Sequence, residues 1–469
     1  MESKKENIFL LVQSGYSTRN FVMSGFLNQD NANIIFWSDQ DYIKQYDIDN
    51  EIIMLPKYHY NGKLNFIQKI KNKAELFFNS KRFKNKSYKF YLIGISNNNS
   101  LKVTIKNAIS TLIASIYSTE KGIQYLDKPF YKATRKTAYY KQCKAQLIAH
   151  KPSKVFCTHQ RASNAVAPML AAKDLGIKTF CFIHSWDNIP KGRLICRPDM
   201  YFVWSDLMKQ QLCLLYKEVS PENVFVTGSP QFEFHTKKQF QQSKKDFFKK
   251  YNLDIHKKTI CFSGDDKLTS PYDPYFLEDL CGSLNNFPEN ERPQIIFRRC
   301  PVDLSDRYDA ILEKYKDDIA VINPDWRIEN PSQESNFTMI YPSYNDISLL
   351  VNTCLHSDVV VNLGSTMAHD FAVHKKPCLY VNYNPKKDKN WSVEMIYQFE
   401  HFKSMDNLDA VGWINSTSDF YPQLKKALDE PHLIAVDKEK WLKRIVQHPL
   451  DKNSINLANL ILDKCTSAM

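Results

Sequence analysis

Glycine is the first thing this 469-residue chain has little of, with 12 residues in all. Such scarcity gives each one weight, and Gly15, Gly228, Gly264 and Gly364 are expected where the backbone needs unusual freedom or a close approach. The 11 cysteines stand singly, without a CxxC pair or a Cys/His spacing that would hold zinc. Several of them, including Cys157, Cys181 and Cys261, lie inside apolar strand-like runs, where a reduced thiol acts as a small hydrophobe. The odd count and the missing signal peptide point to a reducing compartment, hence the cytoplasm. No apolar run approaches the ~18 residues of a membrane span, so the expectation is a soluble or peripheral protein. A P-loop, a GxSxG elbow and an HExxH helix are also missing. Those absences argue against a P-loop kinase, a serine hydrolase and a zincin.

What is present is globular. Hydrophobic residues make up 43% and aromatics 13% of the chain, enough at this length for two or three domains with substantial cores. The net charge of +12 is unevenly placed: Lys63 to Lys106 carries eleven Lys/Arg against one acid, Glu75. Nucleic acid is one possible partner for that segment. Aromatics among lysines from Phe77 to Tyr117, with the apolar run Ala108 to Tyr117, fit an anionic membrane surface at least as well. A solvated basic face is the third reading.

Strand and helix patterns alternate along most of the chain, the signature of parallel sheets covered on both faces. In the first half the strand-like runs are residues 7–12, 33–37, 52–55, 154–157, 178–183, 200–204 and 224–227. Residues 13–20 read as a polar turn leading into an amphipathic run from Phe21 to Leu27. A helix over 162–175 closes at Gly176, and Pro168 should kink it or delay its start. In the second half the runs are 259–262, 294–297, 337–341, 359–361 and 378–381, and no further unit of this kind is evident after Val381. The fold expected is therefore α/β, with two Rossmann-like domains facing a cleft. The first spans 1–235 with a basic helical insertion at about 63–120, and the second spans 236–425. Closing helices over 426–469 would cross back to the first.

The most informative stretch is His356 to Val381, which reads as strand, tight turn, helix, strand. Its turn, Gly364-Ser365-Thr366, brings hydroxyls and backbone N–H groups to the carboxyl end of a parallel strand, where open α/β sheets bind ligands. Two further polar turns, Ser263-Gly264-Asp265 and Arg298-Arg299, would share that edge, and the set is what a diphosphate asks for. Asp370 lies one helical turn beyond Thr366, where its carboxylate could hold two vicinal sugar hydroxyls or simply compensate the helix dipole. The first half gathers Arg19, His159, Arg161, His184, Asp187 and Asn188 on its own edge. His and Asp at strand ends could abstract a proton from an acceptor hydroxyl, or be structural.

As a set, five segments carry a resemblance: VQSGYSTRNF near the start, FIHSWDNIPKGRL at 182–194, VFVTGSPQFE at 224–233, FSGDDKLTSPYDPYFLEDL at 262–280 and VVVNLGSTMAHDFAVHKKP at 359–377. In this order they resemble the bacterial two-domain sugar-nucleotide glycosyltransferases of the GT-B type. Neighbours are the glycerophosphate transferases of wall-polymer synthesis and the UDP-sugar 2-epimerases. The resemblance implies a metal-independent enzyme without a cofactor. Its donor would be a UDP- or CDP-type nucleotide-diphosphate sugar, and its acceptor a surface glycan or lipid-linked molecule. Donor contacts would come from Gly264, Arg298, Gly364, Ser365, Thr366 and Asp370. Arg19 and His159 would lie on the acceptor or phosphate side, and Asp187 and His184 are the candidate bases. Transfer of glycerol- or ribitol-phosphate from a CDP donor is the alternative within the same architecture, and a non-catalytic basic nucleic-acid- or membrane-binding protein is the other. No stacking-aromatic RNA motif favours nucleic acid. Two departures stand out. Cys300 occupies the place where relatives often carry histidine, and Asp370 is shorter than the glutamate often found there.

Overall fold

The computed structural model describes residues 5–27, 32–58, 61–90, 101–192, 194, 197–328 and 340–462. The first half forms one wholly parallel seven-stranded sheet of β1 (Glu6–Leu11), β2 (Ala32–Ser38), β3 (Ile52–Met54), β4 (Lys154–Cys157), β5 (Lys178–Phe182), β6 (Met200–Val203) and β7 (Val224–Val226). Their spatial order is β3-β2-β1-β4-β5-β6-β7. Phe9 lies opposite Ile35 on one side and Val155 on the other, and all three are buried. Near-continuous apolar strands of this kind need helices on both faces, which the intervening segments supply.

The second half repeats the plan with β8 (Thr259–Ser263), β9 (Gln294–Arg298) and β10 (Ile319–Val321). A ribbon of β11 (Trp326–Ile328) and β12 (Ile340–Pro342) interrupts it before β13 (Val359–Asn362), β14 (Cys378–Val381) and β15 (Gly412–Ile414). The parallel sheet runs β10-β9-β8-β13-β14-β15. Strand order thus reverses between β1 and β4 in one sheet and between β8 and β13 in the other. In open sheets the crevice at such a reversal, outside the carboxyl ends, is where ligands sit. Both sheets are Rossmann-like, as the alternation implied.

After β15 the helix Phe420–Asp429 stays on the second sheet, Lys438–Ile445 packs between Met367–Val373 of the second half and Asp206–Leu215 of the first, and Asn453–Ile461 packs against the first half. The crossing is tied by polar contacts. The Gln447 amide donates to Asp206 at 2.7 Å, Asn453 donates to the Ser229 carbonyl at 3.1 Å, and the Ser454 hydroxyl donates to Glu233 at 2.8 Å.

Four expectations need correction. Residues 13–20 are not a turn: the helix Gly15–Phe21 begins there, because Ser14 caps it by accepting from the Ser17 N–H at 3.3 Å. The strand expected at 337–341 lies partly outside the described residues, and its described part, β12, leaves the parallel sheet to pair antiparallel with β11. That ribbon docks on the first half, where the Tyr341 ring stacks on Tyr42 at 4.3 Å and the Tyr46 hydroxyl donates to the Pro342 carbonyl at 2.5 Å. Gly15 makes the approach possible, since a Cβ there would stand 2.2 Å from the Ile340 carbonyl oxygen. A sixth strand follows Val381 after all, in β15, which is short and begins with glycine and so lacks a periodic signal. The basic segment, finally, is not all solvated. Lys71 pairs with Asp127, and Lys73 donates to Ser110 and Thr111 at 2.8 Å each, inside a bundle of the helices Gly62–Arg82, Leu101–Ile116 and Glu120–Thr134. Pro168 sits in the first turn of the helix Val166–Asp174, where its missing N–H costs no helical bond.

Candidate active site

The two carboxyl edges face each other across a cleft of about 360 Å³. Arg19, His159, His184 and Asp187 line it from the first half, with Gly264, Arg298, Gly364, Ser365, Thr366 and Asp370 opposite. Residues from opposite ends of the chain are thus brought together because each follows a strand beside a reversal point.

On the second-half wall, Arg298 ends β9 with its side chain buried. Its Nη2 donates to Asp346 at 3.0 Å. Asp346 also accepts from the Asp325 N–H at 2.9 Å and from the Trp326 indole at 2.7 Å, so the guanidinium is held in one orientation. Its Nη1 is buried without a hydrogen-bond partner among the described residues. Gly364 has φ +71°, and a Cβ there would lie 2.7 Å from the Phe402 ring, so only glycine fits both the backbone and the space. The Ser365 N–H is taken by Asn362 at 3.0 Å, whereas the N–H groups of Gly364 and Thr366 meet no acceptor among the described residues. In the third turn, burial and the charges of Asp266 and Asp273 push the Asp265 carboxyl well above the usual carboxylate range, which favours its proton-bearing form. Asp370 reaches the cleft, but one oxygen is joined to His235 Nε2 at 3.0 Å, and His235 Nδ1 lies 3.0 Å from His374 Nε2.

The first-half wall is cationic. Among the described residues neither Arg19 nor Arg161 has a carboxylate within ion-pair distance, and the buried Nε of Arg161 has no partner. The His159 and His184 rings lie 4.2 Å apart. Burial, and beyond it the Arg161 and Arg19 charges, hold the His184 imidazole down at about 3, so it is neutral at physiological pH. Its Nδ1 has no partner among the described residues. Burial would raise the Asp187 carboxyl, yet the Lys191 ammonium and then His401 hold it well below the usual range. Both its oxygens are engaged, one accepting from Asn188 at 2.8 Å and the other paired with Lys191.

No protein-family model matches the chain, and no curated protein matches it in sequence. Solved structures match it in fold. A putative UDP-N-acetylglucosamine 2-epimerase from Listeria monocytogenes superposes with a TM-score of 0.56 at 10% identity, over 98% of this chain and 96% of that one. A glycosyltransferase from Rickettsia africae gives 0.51 at 12% identity over 99% and 100%. The H548A form of the wall teichoic acid polymerase TagF gives 0.50 at 12% identity over 98% and 88%. The fold is of the GT-B type.

Within this GT-B cleft the sequence pattern had not singled out Trp186, Lys191 or His401 as site residues, although all line it, whereas the turns that hold Asp265 and Arg299 reach it as expected. Lys191 stands one helical turn from Asp187, a spacing that would have suggested their ion pair. Among the described residues no group of three or more His, Cys, Asp or Glu side chains is placed to hold a metal ion.

Behind the cleft, His369 is fully buried with neither ring nitrogen hydrogen-bonded among the described residues, its ring 4.2 Å from Trp441 and 5.1 Å from Trp186. Burial holds its imidazole at about 3, and burial with the nearby Lys191 does the same for His401. A depressed histidine is neutral in the native state and takes its proton on unfolding. Its contribution is therefore intact above the unfolded value of ~6.5 and drains away as pH falls towards the folded value, by on the order of 2 kcal/mol per histidine at pH 5. His369→Phe keeps the aromatic packing and removes two unsatisfied nitrogens. The expected result is a higher Tm than the parent, with a gap that widens between pH 7 and pH 5. Thermal unfolding across that range checks it, and a gap that narrows on acidification contradicts it.

Proposed function

We propose that the chain is a transferase that moves a sugar from a nucleotide-diphosphate donor to a surface-polysaccharide or lipid-linked acceptor in the interdomain cleft. The observation that carries this reading is the buried, unpartnered Nη1 of Arg298, beside the open N–H groups of Gly364 and Thr366. A buried guanidinium nitrogen left unpaired is costly unless an anion completes it, and a diphosphate does so with charge-assisted bonds. On leaving, that diphosphate gathers negative charge. Arg298 and the 364–366 turn would stabilise it as fixed donors, without a metal ion or cofactor. Residues 236–425 form the donor half and 1–235 the acceptor half on this reading.

His184 is the better placed of the two candidate bases. Its Nδ1 is open and its ring neutral at physiological pH, whereas both oxygens of Asp187 are committed to Lys191 and Asn188. Asp187 then orients Lys191 and the loop rather than taking the proton. Asp370, tied to His235 on one oxygen, keeps the other for a donor hydroxyl.

A second reading, transfer of a polyol phosphate from a CDP-activated donor, is favoured by one feature: Arg19 and Arg161 supply positive charge on the acceptor side, with no carboxylate within ion-pair distance of either among the described residues. Unfolding temperature in the presence of UDP, CDP or neither separates the readings. A ligand bound only by the native state stabilises it by about 2.7 kcal/mol at 100 times its Kd. Protection by UDP above CDP is expected for sugar transfer and the reverse for polyol phosphate. No protection by either, together with steeply salt-dependent oligonucleotide binding, would overturn both in favour of a nucleic-acid-binding protein.

A further inference from the structure

The helix Leu101–Ile116 is built inside out. Leu101 is 74% exposed, Ile105 50%, Ile109 46%, Leu112 66% and Ile116 68%. Steps of three and four residues place all five on one stripe. The opposite side of the helix, held against Gly62–Arg82, is mostly small and polar: Ser110 and Ala114 are buried with Ile113 partly buried beside them, and Lys73 donates to Ser110, to Thr111 and to the Asn107 carbonyl. A helix packed on a protein core does the reverse, burying its leucines and wetting its serines. The stripe is therefore a surface that the fold presents, not one it left over.

Its rim is basic. Lys102 and Lys106 are exposed at the edge of the stripe, and the helix itself has no acidic residue. On the next helix Lys121 and Lys128 are exposed, and Tyr125, 56% exposed, stacks on Tyr117 beside the stripe at 5.8 Å between ring centres. Aliphatic side chains flanked by lysines and a tyrosine match the acyl boundary and phosphates of an anionic bilayer. A second copy of the chain would bring lysine against lysine.

We propose that Leu101–Ile116 docks the protein on an anionic lipid surface, with Leu101, Ile105, Ile109, Leu112 and Ile116 entering the acyl boundary and Lys102 and Lys106 meeting headgroup phosphates. None of these residues lines the cleft, so this proposal stands or falls apart from the transferase reading.

The test is co-sedimentation of the full chain with vesicles of phosphatidylglycerol and phosphatidylcholine, against vesicles of phosphatidylcholine alone. Binding is expected only to the anionic vesicles, weakening as salt rises. The double variant Ile105→Ser, Leu112→Ser should bind roughly tenfold more weakly or worse, and Lys102→Glu, Lys106→Glu likewise. Tm and protection by nucleotide should stay at parent values, because the altered side chains are exposed. If the double serine variant unfolds, Ile116→Ser at the far end takes its place. Parent protein that ignores anionic vesicles, or variants that bind them as the parent does, would overturn the proposal. So would a concentration-dependent dimer, seen by light scattering, that the serine variant abolishes.

Discussion

Arg298→Ala is expected to lower donor turnover by roughly 10²- to 10³-fold, the usual loss when one preorganised donor to a developing oxyanion is removed. The expectation rests on how the side chain is held. One arm is fixed by Asp346, itself anchored by the Asp325 N–H and the Trp326 indole, and the other is buried without a partner among the described residues, in a side chain that lines the cleft. The substitution also strands Asp346 as a buried, unpaired carboxylate, at a cost of about 3–5 kcal/mol. Stability and turnover must therefore be read separately. Arg298→Lys separates them. Its ammonium can still answer Asp346, so the fold is expected to survive, but it cannot also reach a phosphate in the planar geometry of a guanidinium. Initial rates, with Tm measured in parallel, check both variants. Full turnover in well-folded Arg298→Lys and Arg298→Ala would remove the residue from the donor site.

The largest loss of stability is expected at Trp186→Ala, about 3–5 kcal/mol from truncation of a buried indole. Trp186 belongs to the first half of the chain, yet its ring meets His401 at 4.7 Å, His369 at 5.1 Å and Trp441 at 5.9 Å, all from the second half or the closing helices. Its indole N–H donates to the Thr366 hydroxyl at 3.1 Å, which links the first-half wall to the turn that would hold the donor. Trp186→Phe should retain most of the packing and lose about 1 kcal/mol for the hydrogen bond. Denaturant unfolding measures both, and an alanine variant no weaker than the phenylalanine one would show that the indole does not join the halves.

The parts of the fold legible in the sequence are those fixed by local periodicity. The β-branched run Val359–Val361, the turn at Gly364 and the proline after the helix defined a strand–turn–helix unit, and the structure has β13, that turn and the helix Met367–Val373. Parallel sheets then bring strand-end turns to one edge by topology alone, which is why Arg19, His184, Arg298 and Ser365 could be named together from the sequence. What escaped depends on contacts far apart along the chain. Trp186 and Thr366 are separated by 180 positions, and nothing near either announces the other. The ribbon of β11 and β12 carries a strand-like composition but pairs outside the sheet, because its docking surface is Tyr42 and Tyr46 of the first half. The lysines at 71 and 73 read as surface charge, although Asp127 and the hydroxyls of Ser110 and Thr111 draw them inward. Periodicity reports which face of an element is apolar, but not which distant group will satisfy a polar one.

The ribbon and the closing helices also set an order of assembly. All seven strands of the first sheet are available once Val226 has been made, but Tyr46 waits for a carbonyl 296 positions later and Ser229 for an amide 224 positions later. On a ribosome the first half would therefore emerge with the floor over Gly15 bare and with the seat of Asn453–Ile461 around Gly25–Leu27 open. The cleft itself draws wall residues from as late as Phe402, so its two sides would be complete only late in synthesis, shortly before the closing helices are threaded back.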